Sequence, residues 1–370
     1  TRADISREIA PIYNEEMKIA DIPTVFHEIE TNGIGYLDLM FDLSDVPEKD
    51  LPMVGLLQAV LGIIDTEHYE YGELFNEINR HTGGIGTSLE LYPDVTKVKE
   101  KEFKATFEIK GKALYGQIPF AIRMMKEILT ASKLDDEKRL KEILSMTKTR
   151  LQDRFLSVGH SAAALRAMSY KSPISKFKDT TNGIEYYQNI REMEEHFDEK
   201  KEEIISGLKA LSELLFRKGN VMISYTASKE GLAVLEEEIG SLKEALYPER
   251  TPESRCILHC EKKNVGFKTS SKVQFAAKAG NFIDAGEEYN GALQILKVIM
   301  SYEYLWINIR VKGGAYGCMS NFNRIGEGYF VSYRDPNLEK TMEIYEGVVD
   351  YLKNFNVDDR DMNKFIIGTI

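Results

Sequence analysis

The stretch Arg310-Val311-Lys312-Gly313-Gly314-Ala315-Tyr316-Gly317 ends a helical run and opens a strand-like one. Much earlier, His81-Thr82-Gly83-Gly84-Ile85 does the same. A glycine pair stops a helix because glycine enters the left-handed region without a Cβ penalty. Working outward from the two pairs, the elements recur in one order. Ahead of the first pair, residues 35–43 alternate, with Leu37, Leu39, Phe41 and Leu43 on one side and Asp38 and Asp42 on the other, the pattern of a half-buried strand. Residues 52–64 are almost continuously apolar and read as a buried helix, and residues 72–81 as a second helix. Behind the pair, residues 85–92 and 103–109 read as strands, then helices are expected near 117–131 and 136–155. Around the second pair the series repeats: a strand over 272–279, an apolar helix over 289–300, a helix over 303–310, strands near 315–323 and 328–334, and helices near 337–353 and from 357.

Residue identities support the repeat. When residues 55–64 are laid on 291–300, Gly55 meets Gly291, Leu57 meets Leu293, Gln58 meets Gln294 and Ile63 meets Ile299. Aligned on the double glycines, Arg80 meets Arg310, and the position of Tyr316 is taken by Gly86. The expected fold class is α+β: two homologous units, each a mostly antiparallel sheet covered by helices on one face. Residues 1–22 show no period and read as a linker. The first unit is expected over 23–217, with a charged helical extension near 190–217, and the second over 218–370, opened by a strand at 221–226. Its final run, Phe365-Ile-Ile-Gly-Thr-Ile370, is apolar and uncapped, so the natural chain is expected to continue.

The 370 residues are ample for a two-unit core. No apolar run approaches the roughly 20 residues that span a bilayer. The net charge of −11 argues against a general nucleic-acid binder, and three cysteines are too few for a disulfide framework.

Arg310 and Tyr316 are the leading candidates for chemistry. A guanidinium offers five donors and stays charged, and a phenol offers one more. Together they can hold a peptide carbonyl and stabilise an oxyanion, and the intervening Gly313-Gly314 lets another backbone approach. The structural alternative is a salt-bridged helix-end arginine and a packed tyrosine. No metal site is expected. The six histidines include no pair spaced i, i+4, and Cys256-Ile-Leu-His259-Cys260 lacks partners and reads as structural. His68 and Glu73 read as a solvated helix start. Gly159-His160-Ser161 lacks a nucleophile elbow and reads as a helix N-terminus with Ser161 as its cap.

Several stretches together resemble the presequence-protease group of zinc peptidases, in the insulinase (pitrilysin) superfamily. They are Thr31-Asn-Gly-Ile-Gly-Tyr-Leu-Asp38, Tyr69-Glu-Tyr-Gly-Glu-Leu74, Thr82-Gly-Gly-Ile85, Gly159-His-Ser-Ala-Ala-Ala-Leu-Arg166, Gly183-Ile-Glu-Tyr-Tyr187, Ile309-Arg-Val-Lys-Gly-Gly-Ala-Tyr-Gly317 and Tyr333-Arg-Asp-Pro336. They fall in order along nearly the whole chain and match the C-terminal half of such enzymes. The resemblance implies a clamshell of two halves that encloses unfolded peptides, with zinc held in the N-terminal half by an H-x-x-E-H motif. That motif occurs nowhere here. It implies that the C-terminal half contributes the arginine and tyrosine, here Arg310 and Tyr316, as auxiliary catalytic contacts, with Gly313, Gly314 and Ala315 against the substrate.

The expectation is therefore a non-catalytic half of a metalloendopeptidase, with no cofactor of its own. Its partners would be the N-terminal half of the same polypeptide and unfolded peptides, with neither nucleic acid nor membrane. The expected location is bacterial cytoplasm or an organelle matrix. The alternative is a stand-alone peptide-binding or structural subunit that pairs with a zinc-bearing one.

Overall fold

The alternation that predicts a strand at 35–43 places Leu37, Leu39 and Phe41 in the core and leaves Tyr36 exposed on the other face of a strand, Ile34–Asp42. In the computed structural model, which describes residues 13–252 and 254–369, this strand sits near the middle of a six-stranded sheet. The elements in chain order are β1 (Glu15–Ile19), β2 (Ile22–Glu28), β3 (Ile34–Asp42), α1 (Leu51–Val60), α2 (Tyr71–His81), β4 (Ile85–Pro93), β5 (Phe103–Leu114), α3 (Ile118–Thr130), α4 (Glu137–Ser169), α5 (Pro173–Asn182), α6 (Ile184–Glu195), α7 (Phe197–Leu215), β6 (Val221–Ala227) and α8 (Lys229–Ala245). Then come β7 (Ala277–Asn281), α9 (Ala292–Ile299), a π-helical stretch (Met300–Val311), β8 (Gly317–Phe322), β9 (Glu327–Tyr333), α10 (Glu339–Glu346), α11 (Val348–Asn354) and α12 (Asp359–Ile367).

The first sheet runs β1-β2-β6-β3-β5-β4 and the second β7-β9-β8. Every pairing is antiparallel except β2 with β6. The α+β class therefore holds. So does the repeat: β3-β5-β4 and β7-β9-β8 share one topology, with two helical segments between the first and second strand of each. The aligned glutamines also do the same work. The Gln58 amide donates to the Thr87 carbonyl on β4 at 3.3 Å, and the Gln294 amide donates to the Phe322 carbonyl on β8 at 2.8 Å. Each capped strand is the edge of its sheet, where an outward carbonyl lacks a ladder partner.

Two boundaries are corrected. Residues 221–227 do not open the second unit. β6 inserts between β2 and β3, because Ile223 and Tyr225 complete the first core, and α8 packs beside α3. The first unit thus runs to the end of α8. The linker assigned to 1–22 contains strand β1, paired with β2; residues 1–12 lie outside the described residues. The helix expected to end near 155 continues to Ser169 as α4, broken only at Val158 (φ −127°, ψ 37°). Ser161 lies inside that helix and is no cap. The second core is small and holds Met300, Leu305, Ile309, Ala315, Cys318, Tyr345 and Val348.

Candidate functional site

The C-terminal part of the π-helical stretch decides where Arg310 points. There the Lys312 amide reaches back five residues to the Ile307 carbonyl at 3.0 Å, the wide turn that recurs at functional sites. Leu305 and Ile309 anchor its inner face in the second core. Arg310 is thereby turned outward, with its guanidinium carbon 4.1 Å from the centre of the Trp306 ring and 5.5 Å from that of Tyr316. Its Nη1 donates to the Tyr316 carbonyl at 2.5 Å. It forms no ion pair and no other hydrogen bond among the described residues.

Tyr316 stands on the adjoining turn, 63% exposed. Its amide is tied to β9, donating to the Tyr333 carbonyl at 3.0 Å. Its hydroxyl has no partner among the described residues. A cation and a phenol, both with unspent donors, therefore share one exposed lip. The salt-bridged arginine of the structural alternative is not what forms. That arrangement appears instead at the repeat-equivalent Arg80, paired with Glu77 at 2.5 Å.

The turn residues differ among themselves. Gly314 is exposed with φ +81°, a conformation that requires glycine. The Gly313 carbonyl accepts from the Asn337 amide at 2.5 Å, and a Cβ on Gly313 would sit 2.5 Å from the Ile309 carbonyl. Ala315, expected beside Gly313 and Gly314 against a substrate, is corrected: it is 4% exposed, and its amide is spent on the Ile309 carbonyl at 3.1 Å.

Behind Tyr316 lies an aromatic stack that sequence spacing does not reveal. The Tyr316 ring meets Tyr333 edge-on at 5.5 Å, Tyr333 stacks on Phe275 at 5.8 Å, and His160 meets Tyr333 at 4.7 Å. The Tyr333 hydroxyl donates to the Ser157 carbonyl at 3.2 Å, at the break in α4. His160 is held below the usual imidazole range by burial, and its Nδ1 has no partner. The stretches around 159–166 and 333–336 drew notice in the sequence, but nothing in their spacing announced contact across more than 150 residues.

The donor set does not fit a zinc ion. α1, the helix in the repeat position of a metal-binding one, reads Leu-Pro-Met-Val-Gly-Leu-Leu-Gln-Ala-Val. Among the described residues no three His, Cys, Asp or Glu side chains converge to hold a metal. His68 Nδ1 pairs with Glu127 at 3.0 Å, and His259 Nδ1 with Glu48 at 2.8 Å. Burial pushes the Cys256 thiol up to about 11. No helix among the described residues is long and apolar enough to cross a membrane.

Comparison with known proteins places these features in context. Residues 1–193 match the family model for the region associated with M16 peptidases of subfamily C, and residues 266–370 match "PreP C-terminal domain". The chain is 38% identical to Protein HypA of Clostridium perfringens over 99% of its own length and 37% of that protein. It is 29% identical to presequence protease 1, chloroplastic/mitochondrial, of Arabidopsis thaliana, over 99% of this chain and 34% of that one. It spans about a third of the length of the relatives it matches. Among solved structures, the M16 peptidase inactive domain from Pseudomonas fluorescens shares the fold (TM-score 0.58, 15% identity, 97% of this chain and 84% of that one).

Proposed function

The chain belongs to the family associated with subfamily C of the M16 peptidases, as the C-terminal half of a presequence-protease-like enzyme, and from that premise we propose that it is the non-catalytic half of a zinc oligopeptidase. In this reading it closes over an N-terminal catalytic half, which supplies the zinc, and encloses unfolded peptides. The single observation that carries it is the Arg310–Tyr316 lip. Tyr316 Oη and the free guanidinium N–H groups have no partner of their own among the described residues, and they converge where a peptide carbonyl can approach over Gly314. As that carbonyl becomes an oxyanion, the two donors gain strength from its charge. Trp306 and the Tyr316 carbonyl hold the guanidinium in place, and the Tyr333–Phe275–His160 stack holds the phenol. Bacterial cytoplasm or an organelle matrix is the location that suits such an enzyme.

The test is steady-state kinetics in the full-length protein. Tyr316→Phe removes one oxyanion donor and is expected to lower kcat on the order of a hundredfold with fold and zinc content unchanged. Arg310→Ala is expected to lower kcat and raise KM. Arg80→Ala removes only a surface pair and should leave kinetics intact. Near-normal turnover of both Tyr316→Phe and Arg310→Ala would refute the assignment.

A further inference from the structure

The ladder of the first sheet leaves a short gap at its edge. Between β3 and β5, the Leu43 amide bonds the Ala105 carbonyl at 2.9 Å and the Tyr115 amide bonds the Gly33 carbonyl at 2.9 Å, so odd residues of β5 are spent on β3. Between β4 and β5, the Asp94 amide bonds the Glu102 carbonyl at 3.0 Å, so even residues of β4 are spent on β5. Because the two sides of a strand alternate, Thr87, Leu89, Leu91 and Pro93 direct their backbone groups outward from the edge. Gln58 covers the carbonyl of Thr87, and Pro93 has no N–H to offer. Leu89 and Leu91 have no hydrogen-bond partner for amide or carbonyl on that side among the described residues.

The gap opens onto a cleft of about 390 Å³ between β4 and helices α4 and α5. Leu89 and Leu91 form one wall, and Val158, Leu165 and Phe177 are among its apolar residues. Arg154 and Lys178 also line it. Neither forms an ion pair among the described residues. Arg154 reaches only Asn182, through Nη1 to Oδ1 at 2.9 Å, and Arg150 on the same helix adds a further repelling positive charge.

We propose that this cleft is a second peptide-binding site, in which an extended, acidic peptide adds as a strand to β4 at Leu89–Leu91. An open edge is a template for main-chain pairing, the apolar wall receives alternate side chains, and two uncompensated cations select carboxylates on the others. The site is separate from Arg310 and Tyr316, although the break in α4 touches both: Val158 lines the cleft, and the Ser157 carbonyl receives the Tyr333 hydroxyl. It stands whether or not Arg310 and Tyr316 act on substrate.

The experiment measures binding of a fluorescent eight-residue peptide of alternating valine and glutamate to the full chain, against a valine–lysine counterpart. Two N-methylated versions, blocked at odd or at even residues, complete the set. The acidic peptide should bind at least tenfold more tightly than the basic one. One N-methylation parity should abolish binding while the other preserves it, since only alternate amides face β4. The Leu89 and Leu91 amides, open to exchange in the free chain, should become protected. The double variant Arg154→Gln/Lys178→Gln should weaken binding about tenfold. No binding, equal tolerance of both methylation patterns, unprotected Leu89 and Leu91, or equal affinity for the basic peptide would each overturn the proposal. The peptide variants keep the test on the unaltered protein if the double variant does not fold.

Discussion

On the open face of the first sheet, Asp38, Glu90, Tyr92, Glu108 and Lys110 form one cluster, and replacing Asp38 by asparagine should change how the fold responds to pH. Glu108 is fully buried and takes hydrogen bonds from Tyr92 Oη at 2.7 Å and Thr106 Oγ1 at 2.5 Å, with Lys110 Nζ 2.8 Å away. Burial pushes Glu108 up, but these three partners more than offset it and hold it below the usual range. Asp38, diagonal to it across β3 and β5, carries the cost: burial first, then the Glu108 charge, push its carboxyl up from 3.8 to about 7, with Lys110 opposing and Glu90 adding. Below about pH 4, folded and unfolded chains both hold the Asp38 proton. Between about pH 4 and 7 the folded chain keeps a proton that the unfolded chain has lost, so stability falls as pH rises, and above about 7 the loss is complete. At about 1.4 kcal/mol per pH unit the full loss is on the order of 4 kcal/mol. With 22% of the side chain exposed, solvent screening reduces this to about 2–4 kcal/mol. Asp38→Asn keeps the shape and cannot ionise. Urea unfolding at pH 4, 6 and 8 should show the variant gaining that amount on the wild type across the range. A constant difference between the two proteins from pH 4 to 8 would refute the reasoning.

Other outcomes follow from the packing. Gly159→Ala would place a Cβ 2.5 Å from the Phe275 ring, and should lower stability by roughly 1–3 kcal/mol and disturb the stack behind Tyr316; thermal unfolding and near-ultraviolet dichroism read both effects, and an unchanged melting temperature would contradict them. Cys318 is buried, which pushes its thiol up to about 12, whereas Cys260 is exposed. Iodoacetamide at pH 8.5 should therefore modify Cys260 first and Cys318 last, as followed by mass spectrometry; equal rates in the native chain would show that the second core opens readily. Gly314→Ala should cost about 1–2 kcal/mol because φ is +81° there, measured by denaturant midpoint; a neutral effect would mean the turn relaxes.

The local elements were legible because their causes are local. The alternation at 35–43 and 103–109 has only one way to bury Leu39 and Phe107 together, and the glycine pairs stop their helices by backbone conformation alone. The repeat was legible for the same reason, and the shared capping role of Gln58 and Gln294 gives part of it a physical cause. What the sequence could not decide was which sheet a strand joins. Val221–Ala227 alternates equally well whether it opens a new unit or completes an old one; Tyr225 and Ile223 fit between β2 and β3, and that choice moved a boundary by the length of β6 and α8. The site divides along the same line. Arg310, Gly314 and Tyr316 are near neighbours in the chain, so their proximity is covalent. Ala315 was misjudged because burial depends on what packs above a turn. The Tyr333–Phe275–His160 stack and the open edge at Leu89–Leu91 arise from segments far apart in the chain, and only tertiary packing brings such groups together or leaves them without a partner.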